Sequence, residues 1–171
     1  MTTKEIDFDG GILVGHDGSD FSDQAVEWAL EYGRLTGQPV TVTRAWVLTT
    51  APRPKTWEPG YMPPLEDFAA AVVEVLDDDL APLRAKYPEV DVRTCAVHGK
   101  PATRIIEASE KASTVVVGRR GLGGFKGLLL GSVSEQVVRH AKATVVVINP
   151  SGGDESPDAR NVLDSSFSDD A

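Results

Sequence analysis

Cysteine is nearly absent from this sequence of 171 residues, in which Cys95 stands alone. An internal disulfide is therefore excluded, and a reducing compartment such as the cytoplasm is favoured. No apolar run reaches the roughly 18–20 residues that a membrane-spanning helix requires. The first residues also lack the basic and apolar regions of a signal peptide. We therefore expect a cytoplasmic protein that has no membrane partner.

Basic residues are too few for a protein that binds nucleic acid. The 17 lysines and arginines are outnumbered by 26 acidic residues, which gives a net charge of −9. A surface that binds phosphate backbones has to be positive, so no nucleic-acid partner is expected. The acidic charge is uneven, because no acidic residue occurs between Glu110 and Glu135. The basic residues of this interval are Lys111, Arg119, Arg120 and Lys126. Such an acid-free, basic segment predicts a local anion site.

Strand-like and helix-like segments alternate along the chain. Short apolar or β-branched runs predict five strands, at 11–15, 40–46, 91–97, 114–118 and 143–148. Between them, apolar residues at steps of three and four predict four helices, which begin near residues 20, 65, 101 and 132. Asp20 or Ser22 can cap the first helix, and Gly37 can end it. The order predicts an α/β fold, a parallel sheet with helices on both faces, which binds ligands beyond the carboxyl ends of its strands.

Three segments are expected to lie outside the regular elements. Residues 1–9 are predicted to be a flexible N-terminus that precedes a folded domain at 10–149. Residues 49–64 hold five prolines, which exclude a regular helix or a central strand and predict a mobile loop. Residues 150–171 contain six acidic residues, one basic residue and few apolar ones, and so predict an acidic, disordered tail.

The strongest chemical signal lies between the fourth strand and the fourth helix. Six glycines occur in the 15 residues from Gly118 to Ser132, and glycine permits positive φ and lets a ligand approach bare amides. The helix that begins near Ser132 adds unpaired N–H groups and the positive end of its dipole. The Walker string does not occur, and the dinucleotide fingerprint that starts at Gly121 fails at Lys126. The combination predicts a phosphate-binding turn.

Ordinary structural roles compete with ligand binding at several of these residues. Ser132 and Glu135 fit a capping box, in which the Ser132 hydroxyl would accept from the helix amides. Arg119 and Arg120 are consistent with plain surface arginines, and Asp17 with an acid that caps the first helix. Both roles remain open for each of these residues.

Two residues separate Gly118 from Gly121, and nine residues separate Gly121 from Gly131-Ser132. This spacing resembles the ATP-binding signature of the universal stress protein family. The first strand and the following Asp17-Gly18-Ser19 are similar to that family's first turn. Gly99-Lys100-Pro101 is similar to the turn after its third strand. Three separated motifs in the family's order make the resemblance specific.

The resemblance covers residues 10–149 and implies a five-stranded parallel sheet of order 3-2-1-4-5, in a Rossmann-like, adenine nucleotide alpha hydrolase-like sandwich. It implies a homodimer formed through the last strand, from Thr144 to Ile148. It also implies ATP as the ligand, with Mg²⁺ bound through the phosphates and no metal site of the protein's own. By matching position, the nucleotide-binding residues are Gly15, His16, Asp17, Ala45, Val117, Gly118, Arg119, Arg120, Gly121, Gly131, Ser132, Val133 and Ser134.

The matching also implies a role for each part of this set. The glycines of the signature and the residues after them would hold the phosphates and the ribose. Asp17, with Gly15 and His16 alongside, would line the adenosine part, and Ala45 would meet the adenine through its backbone. His16 departs from the family, in which a small or apolar residue is usual, and a bulky imidazole there is expected to narrow the adenosine pocket.

Three functions are compatible with this sequence. A nucleotide-dependent regulatory module of the stress response needs a phosphate-binding turn and nothing more. An enzyme, such as a slow ATPase, needs a metal-binding carboxylate and a residue that orients the nucleophile. Asp17 is the one carboxylate predicted at the strand ends, without a visible partner, so no catalytic residue is assigned. A protein of the same fold that binds cyclic AMP or another nucleotide is the third. We expect the first.

Overall fold

Strands and helices alternate along the whole domain in the computed structural model, which describes residues 5–122 and 129–149. The strands are β1 (Ile12–Gly15), β2 (Val40–Trp46), β3 (Val92–His98), β4 (Thr114–Gly118) and β5 (Thr144–Ile148). The helices are α1 (Asp20–Thr36), α2 (Leu65–Lys86), α3 (Pro101–Ala108) and α4 (Ser132–His140). All nine predicted elements are present in the described residues.

The five strands form one parallel sheet in the order β3-β2-β1-β4-β5, which confirms the predicted fold class. β1 lies at the centre, where Ile12 is paired with Val40 of β2 on one side and with Thr114 of β4 on the other. The chain builds outward from β1 to β3 and then crosses to the other side for β4 and β5. The strand order therefore reverses between β1 and β4, and a crevice opens at their carboxyl ends.

Two apolar layers hold the helices onto the sheet. α1 and α2 cover one face, and α3 and α4 cover the other. Within β1, Ile12 and Val14 face the first layer while Leu13 faces the second, and all three are fully buried. Each such side chain contributes about 1.5–3 kcal/mol relative to exposure. Burial on both faces explains the successive apolar residues of β1 and the three successive valines of β4.

The N-terminus of α1 differs from the prediction, because Ser19 is the N-cap rather than Asp20 or Ser22. The Ser19 hydroxyl accepts from the Ser22 amide at 3.3 Å. The chain leaves β1 through Gly18, whose φ is +87°, and Ser19 is the extended residue before the first helical turn. Gly37 ends the helix in the left-handed conformation, as predicted.

Residues 47–64 contain turns and an isolated bridge between Glu58 and Tyr61, with no helix or strand, in agreement with their prolines. Lys55 and Thr56 bind Glu74 and Asp67 of α2 and so attach this segment to the helix. The mobility predicted for 49–64 stays a prediction.

Near the N-terminus, Ile6 and Phe8 are buried against the α3–α4 layer, a contact that their alternation could have indicated. The flexibility predicted for 1–9 stays a prediction. Residues 1–4 and the predicted tail at 150–171 lie outside the described residues.

Candidate functional site

A cavity of about 920 Å³ lies at the carboxyl ends of β1, β2 and β4, where the strand order reverses. All of the predicted site residues except Arg119 line it. Those residues are Gly15, His16, Asp17, Ala45, Val117, Gly118, Arg120, Gly121, Gly131, Ser132, Val133 and Ser134. The fold thus brings together segments that are more than 100 residues apart in the sequence.

Arg119 takes part in the site through its backbone and is not part of the cavity wall. Its amide donates to the carbonyl of Ile148 at 2.9 Å, and its carbonyl accepts from the amide of Gly131 at 2.8 Å. These two bonds join the two ends of the glycine-rich segment to each other and to β5. The part of this segment at 123–128, which includes Gly123, Gly124, Lys126 and Gly127, lies outside the described residues.

The N-terminus of α4 presents main-chain donors to the cavity. Gly131 is the N-cap, and no side chain of the described residues caps this helix. The capping box predicted for Ser132 is therefore wrong, because Ser132 is already the first helical residue. The first hydrogen bond of the helix runs from the Glu135 amide to the Gly131 carbonyl at 2.9 Å. The amides of residues 132–134 precede it and have no acceptor within the helix.

The hydroxyl of Ser134 is engaged by the protein. It lies 2.8 Å from the carbonyl of Arg119 and 3.0 Å from that of Gly131, and the residue is buried. Ser132, by contrast, is exposed. A ligand at the start of α4 would therefore meet the Ser134 backbone, whereas at Ser132 both the amide and the hydroxyl lie at the helix end.

The glycines of the signature allow close approach rather than an unusual backbone conformation. Glycine permits positive φ, but Gly131 has a φ of −74°, and neither Gly118 nor Gly121 has a φ in the left-handed region. A Cβ on Gly118 would lie 2.8 Å from the carbonyl oxygen of Phe21, so the end of β4 passes directly against the first turn of α1. Steric contact therefore explains this glycine.

The side chain of Asp17 connects the β1–α1 turn to the glycine-rich segment. Its Oδ1 accepts from the Ser19 hydroxyl at 2.6 Å and from the Ser19 amide at 3.1 Å, and its Oδ2 accepts from the Leu122 amide at 2.9 Å. Burial alone would raise the pKa of Asp17, but the hydrogen bonds from Ser19, Leu122 and Ser22 outweigh it and lower the pKa. The carboxylate is therefore ionised at neutral pH. It supports the N-cap Ser19 and does not cap α1 itself.

The imidazole of His16 lies outside the open space of the cavity, although a narrowed pocket was expected. Its side chain is 0% exposed, with Nε2 2.8 Å from Oδ1 of Asp23 in α1. Nδ1 lies 2.5 Å from Nη2 of Arg44, which also donates to Oδ2 of Asp79 at 2.7 Å. Because a guanidinium only donates, Nδ1 accepts and Nε2 carries the proton. The ring thus joins α1 to β2.

Burial lowers the pKa of His16, opposed by its hydrogen bond to Asp23 and assisted by the positive charge of Arg44. The imidazole is therefore neutral at physiological pH, and the partly buried Arg44 lies between the His16 ring and the carboxylate of Asp79. Asp79 of α2 is therefore an ion-pair partner of Arg44.

Part of the cavity wall was not predicted from the sequence. It consists mainly of apolar residues from the segment that follows β2 and from α2: Val47, Thr50, Pro52, Val72 and Val75. Trp46 of β2 lines the same part of the cavity. Trp46 is 3% exposed and stacks on Phe68 at 6.2 Å between ring centroids. The sequence signal that could have indicated this wall was the position of the prolines directly after β2. A segment that follows the carboxyl end of a β-strand borders the crevice.

Across the described residues, helices are too short or too polar to traverse a bilayer. The same residues contain no group of three or more His, Cys, Asp or Glu side chains that could hold a metal ion.

Comparisons with known proteins agree in one family. The model of the universal stress protein family matches residues 11–149. Universal stress protein Rv2623 of Mycobacterium tuberculosis is 34% identical over 140 residues, which are 82% of this chain and 45% of that protein. Universal stress protein MT2052 of the same species is 36% identical over 138 residues, 80% of this chain and 43% of that protein. The chain spans about half the length of these curated relatives.

A solved structure gives the same result for the fold. The structure described as a universal stress protein in complex with cAMP superposes with a TM-score of 0.61. It is 26% identical to this chain and covers 83% of it, and the match covers 98% of the other protein.

The buried His16 predicts a pH dependence of stability. The pKa of His16 is lowered in the folded state, so the unfolded chain binds the proton more readily. The free energy of unfolding therefore falls as the pH drops below about 6.5, the pKa of this side chain in the unfolded chain. The His16 side chain changes the free energy of unfolding by at most about 1.4 kcal/mol per pH unit. Urea unfolding between about pH 7 and pH 5 should therefore show a shallower decline for His16→Gln than for the wild type. His140→Gln, an exposed change on α4, should keep the wild-type slope. Equal slopes for His16→Gln and the wild type would contradict the neutral, buried imidazole.

Proposed function

This chain belongs to the universal stress protein family, and from that premise we propose that it binds ATP in the cavity at the carboxyl edge of its sheet. Nucleotide occupancy would serve as the input of a regulatory module in the stress response, and rapid chemistry would not follow. The observation that carries this proposal is the uncapped N-terminus of α4, which opens onto the cavity.

The start of α4 is suited to phosphate. The amides of residues 132–134 have no acceptor within the helix, and the dipole places about half a positive charge at this end. No acidic side chain other than Glu135 occupies the first turn. Lys100 and Arg120 also line the cavity and add positive charge. Phosphate oxygens would satisfy the amides and neutralise this charge.

The opposite part of the cavity is suited to an adenine. Ala45 lies at the end of β2, and the neighbouring walls are formed by Trp46, Val47 and Pro52. An adenine ring would pack against these apolar walls and meet the Ala45 backbone through its polar edge. Gly15 and Asp17 lie between the two parts, where the ribose would be.

The ligand class is supported by the neighbour described with cAMP, which shares 26% of its residues with this chain. ATP, rather than a monophosphate, is supported by the number of main-chain donors and by the cavity size. About 920 Å³ lies near the upper end of the roughly 300–1,000 Å³ range of small-molecule pockets. Cyclic AMP is the alternative ligand that the neighbour favours.

Mg²⁺ would come to the site with the phosphates. The described residues offer no cluster of metal ligands, and both oxygens of Asp17 already accept hydrogen bonds from the protein. A hard cation of this kind usually keeps several waters and binds through substrate phosphates. This arrangement supports binding without efficient phosphoryl transfer, for which a free carboxylate and a residue that orients the nucleophile are needed. Slow ATP hydrolysis is the enzymatic alternative.

We also propose a homodimer formed through β5, in a cytoplasmic protein. β5 is an edge strand with β4 as its one neighbour in the described sheet, and four of its five residues are only partly buried. An apolar edge of this kind is expected to be covered by another chain.

The identity of the bound ligand can be tested directly. Protein purified without added nucleotide should release ATP or AMP on denaturation, in an amount approaching one molecule per chain, as identified by mass spectrometry. Calorimetric titration of the emptied protein should then give saturable binding of ATP with magnesium. Recovery of cyclic AMP would favour the alternative ligand. An empty extract together with no heat from ATP or cyclic AMP would rule out the proposed function.

A second prediction separates the helix amides from the Ser132 hydroxyl. Ser132→Pro removes the first amide of α4, and proline is well tolerated at this helical position after a residue as extended as Gly131. One charge-assisted hydrogen bond is worth about 1.5–3 kcal/mol, so ATP affinity should fall about tenfold or more while thermal stability is retained. Ser132→Ala keeps the amide and is the matched control. Equal losses in both variants would assign the contact to the hydroxyl, and no loss in the proline variant would remove the amide from the site.

The dimer can be tested at its edge strand. Sedimentation velocity at micromolar concentration should give twice the mass of the chain. Val147→Lys places a charge on β5, which should shift the species toward the monomer because lysine blocks edge-to-edge pairing. Leu35→Lys, on an exposed position of α1, should leave the mass unchanged. A monomeric wild-type protein would contradict the proposal.

A further inference from the structure

The carboxylate of Asp17 joins two segments that both border the cavity, the β1–α1 turn and the glycine-rich segment. It is anchored in its own turn by Ser19, at 2.6 Å from the hydroxyl and 3.1 Å from the amide. Its second oxygen reaches the Leu122 amide, 105 positions later in the chain, at 2.9 Å. A single side chain therefore fixes the start of the glycine-rich segment against the β1–α1 turn.

Gly121 lies directly under this carboxylate. A Cβ at position 121 would stand 2.2 Å from Oδ2 of Asp17 and 3.3 Å from its Cγ, which is far inside van der Waals contact. The φ of Gly121 is not in the left-handed region, so backbone conformation does not demand glycine here. What excludes a side chain at 121 is the position of the Asp17 carboxylate.

We propose that Asp17 is the positioning residue of the nucleotide site, and that the second glycine of the signature is required because the Asp17 carboxylate fills the space of its side chain. This inference rests on the proposed function. The glycine-rich segment is held at its ends by the Arg119–Ile148 and Gly131–Arg119 backbone bonds. Asp17 adds a third attachment, from the β1–α1 turn.

The attachment has a physical consequence for binding. A segment that is already fixed before the ligand arrives loses less conformational freedom on binding, so affinity rises without any new contact to the ligand. The Leu122 amide already donates to Asp17, whereas the amides of residues 132–134 have no acceptor within their helix and could donate to the phosphates. A negative carboxylate can lie beside an anion site because its own charge is met by three protein donors.

A double-mutant cycle in ATP affinity tests the pairing of Asp17 with Gly121. Gly121→Ala should displace the carboxylate, and Asp17→Ala should remove it, so each variant should lose about tenfold or more. The double variant should be no weaker than Asp17→Ala alone, because the added methyl group then has room. Losses that multiply in the double variant would overturn the pairing.

Gly131→Ala is the matched control for this cycle. A Cβ at 131 would have its three nearest neighbours in Arg120, Arg119 and Ser134, at 3.3, 3.4 and 3.5 Å, rather than in Asp17. Its effect on ATP affinity should therefore multiply with that of Asp17→Ala. Asp17→Asn keeps the volume of the side chain, so Gly121→Ala should lower ATP affinity by the same factor in this background as in the wild type. This variant serves as the control for a folding defect in Asp17→Ala. Relief of Gly121→Ala by Asp17→Asn would contradict the steric explanation.

Amide hydrogen exchange separates failure of this inference from failure of the proposed function. In the ligand-free protein, the Leu122 amide should be protected, and Asp17→Ala should accelerate its exchange about tenfold or more. Protection by Asp17 in a protein that binds no nucleotide would reject the function and leave the attachment in place. Nucleotide binding with equally fast Leu122 exchange in the wild type and in Asp17→Ala would keep the function and reject the attachment.

Discussion

Three main-chain amides at the start of α4 cannot be satisfied by their own helix, and the surrounding structure is arranged so that no side chain among the described residues takes their place. Gly131 precedes them without a capping group, and the Ser134 hydroxyl is turned back to two carbonyls. α4 follows β4 in the chain, so this helix begins near the point where the strand order reverses. The cavity is therefore built around donors that need an external acceptor.

Close approach of backbones makes this arrangement possible. β4 ends against the first turn of α1, so that a Cβ on Gly118 would meet the Phe21 carbonyl. The glycine-rich segment then passes under Asp17. In both places glycine is required for space, and the same residue type serves two different neighbours. A motif that is read as one flexible loop in sequence is thus a set of separate steric contacts.

Charge near the cavity is balanced by fixed pairs. Arg44 is held between the neutral His16 and Asp79, and Asp17 is held by Ser19 and Leu122. These groups tie α1, β2, α2 and the glycine-rich segment together at the carboxyl edge of the sheet. Their order before any ligand arrives favours recognition, because little rearrangement is then needed for binding.

The sequence by itself determined the elements, the parallel sheet and the place of the glycine-rich segment between β4 and α4. Those properties follow from local periodicity and from glycine spacing, which a linear chain displays directly. The strand order and the site residues came from the family resemblance, and the order is confirmed by the structure.

Only the tertiary structure decided which groups meet across the cavity. It assigned the cap of α1 to Ser19, turned the His16 ring toward Asp23 and Arg44, placed Arg119 behind the wall, and brought the Asp17 carboxylate over Gly121. The walls from α2 and the proline-rich segment were decided in the same way. Such contacts join residues tens of positions apart, and their geometry depends on how two layers of helices pack on the sheet, which no local pattern records.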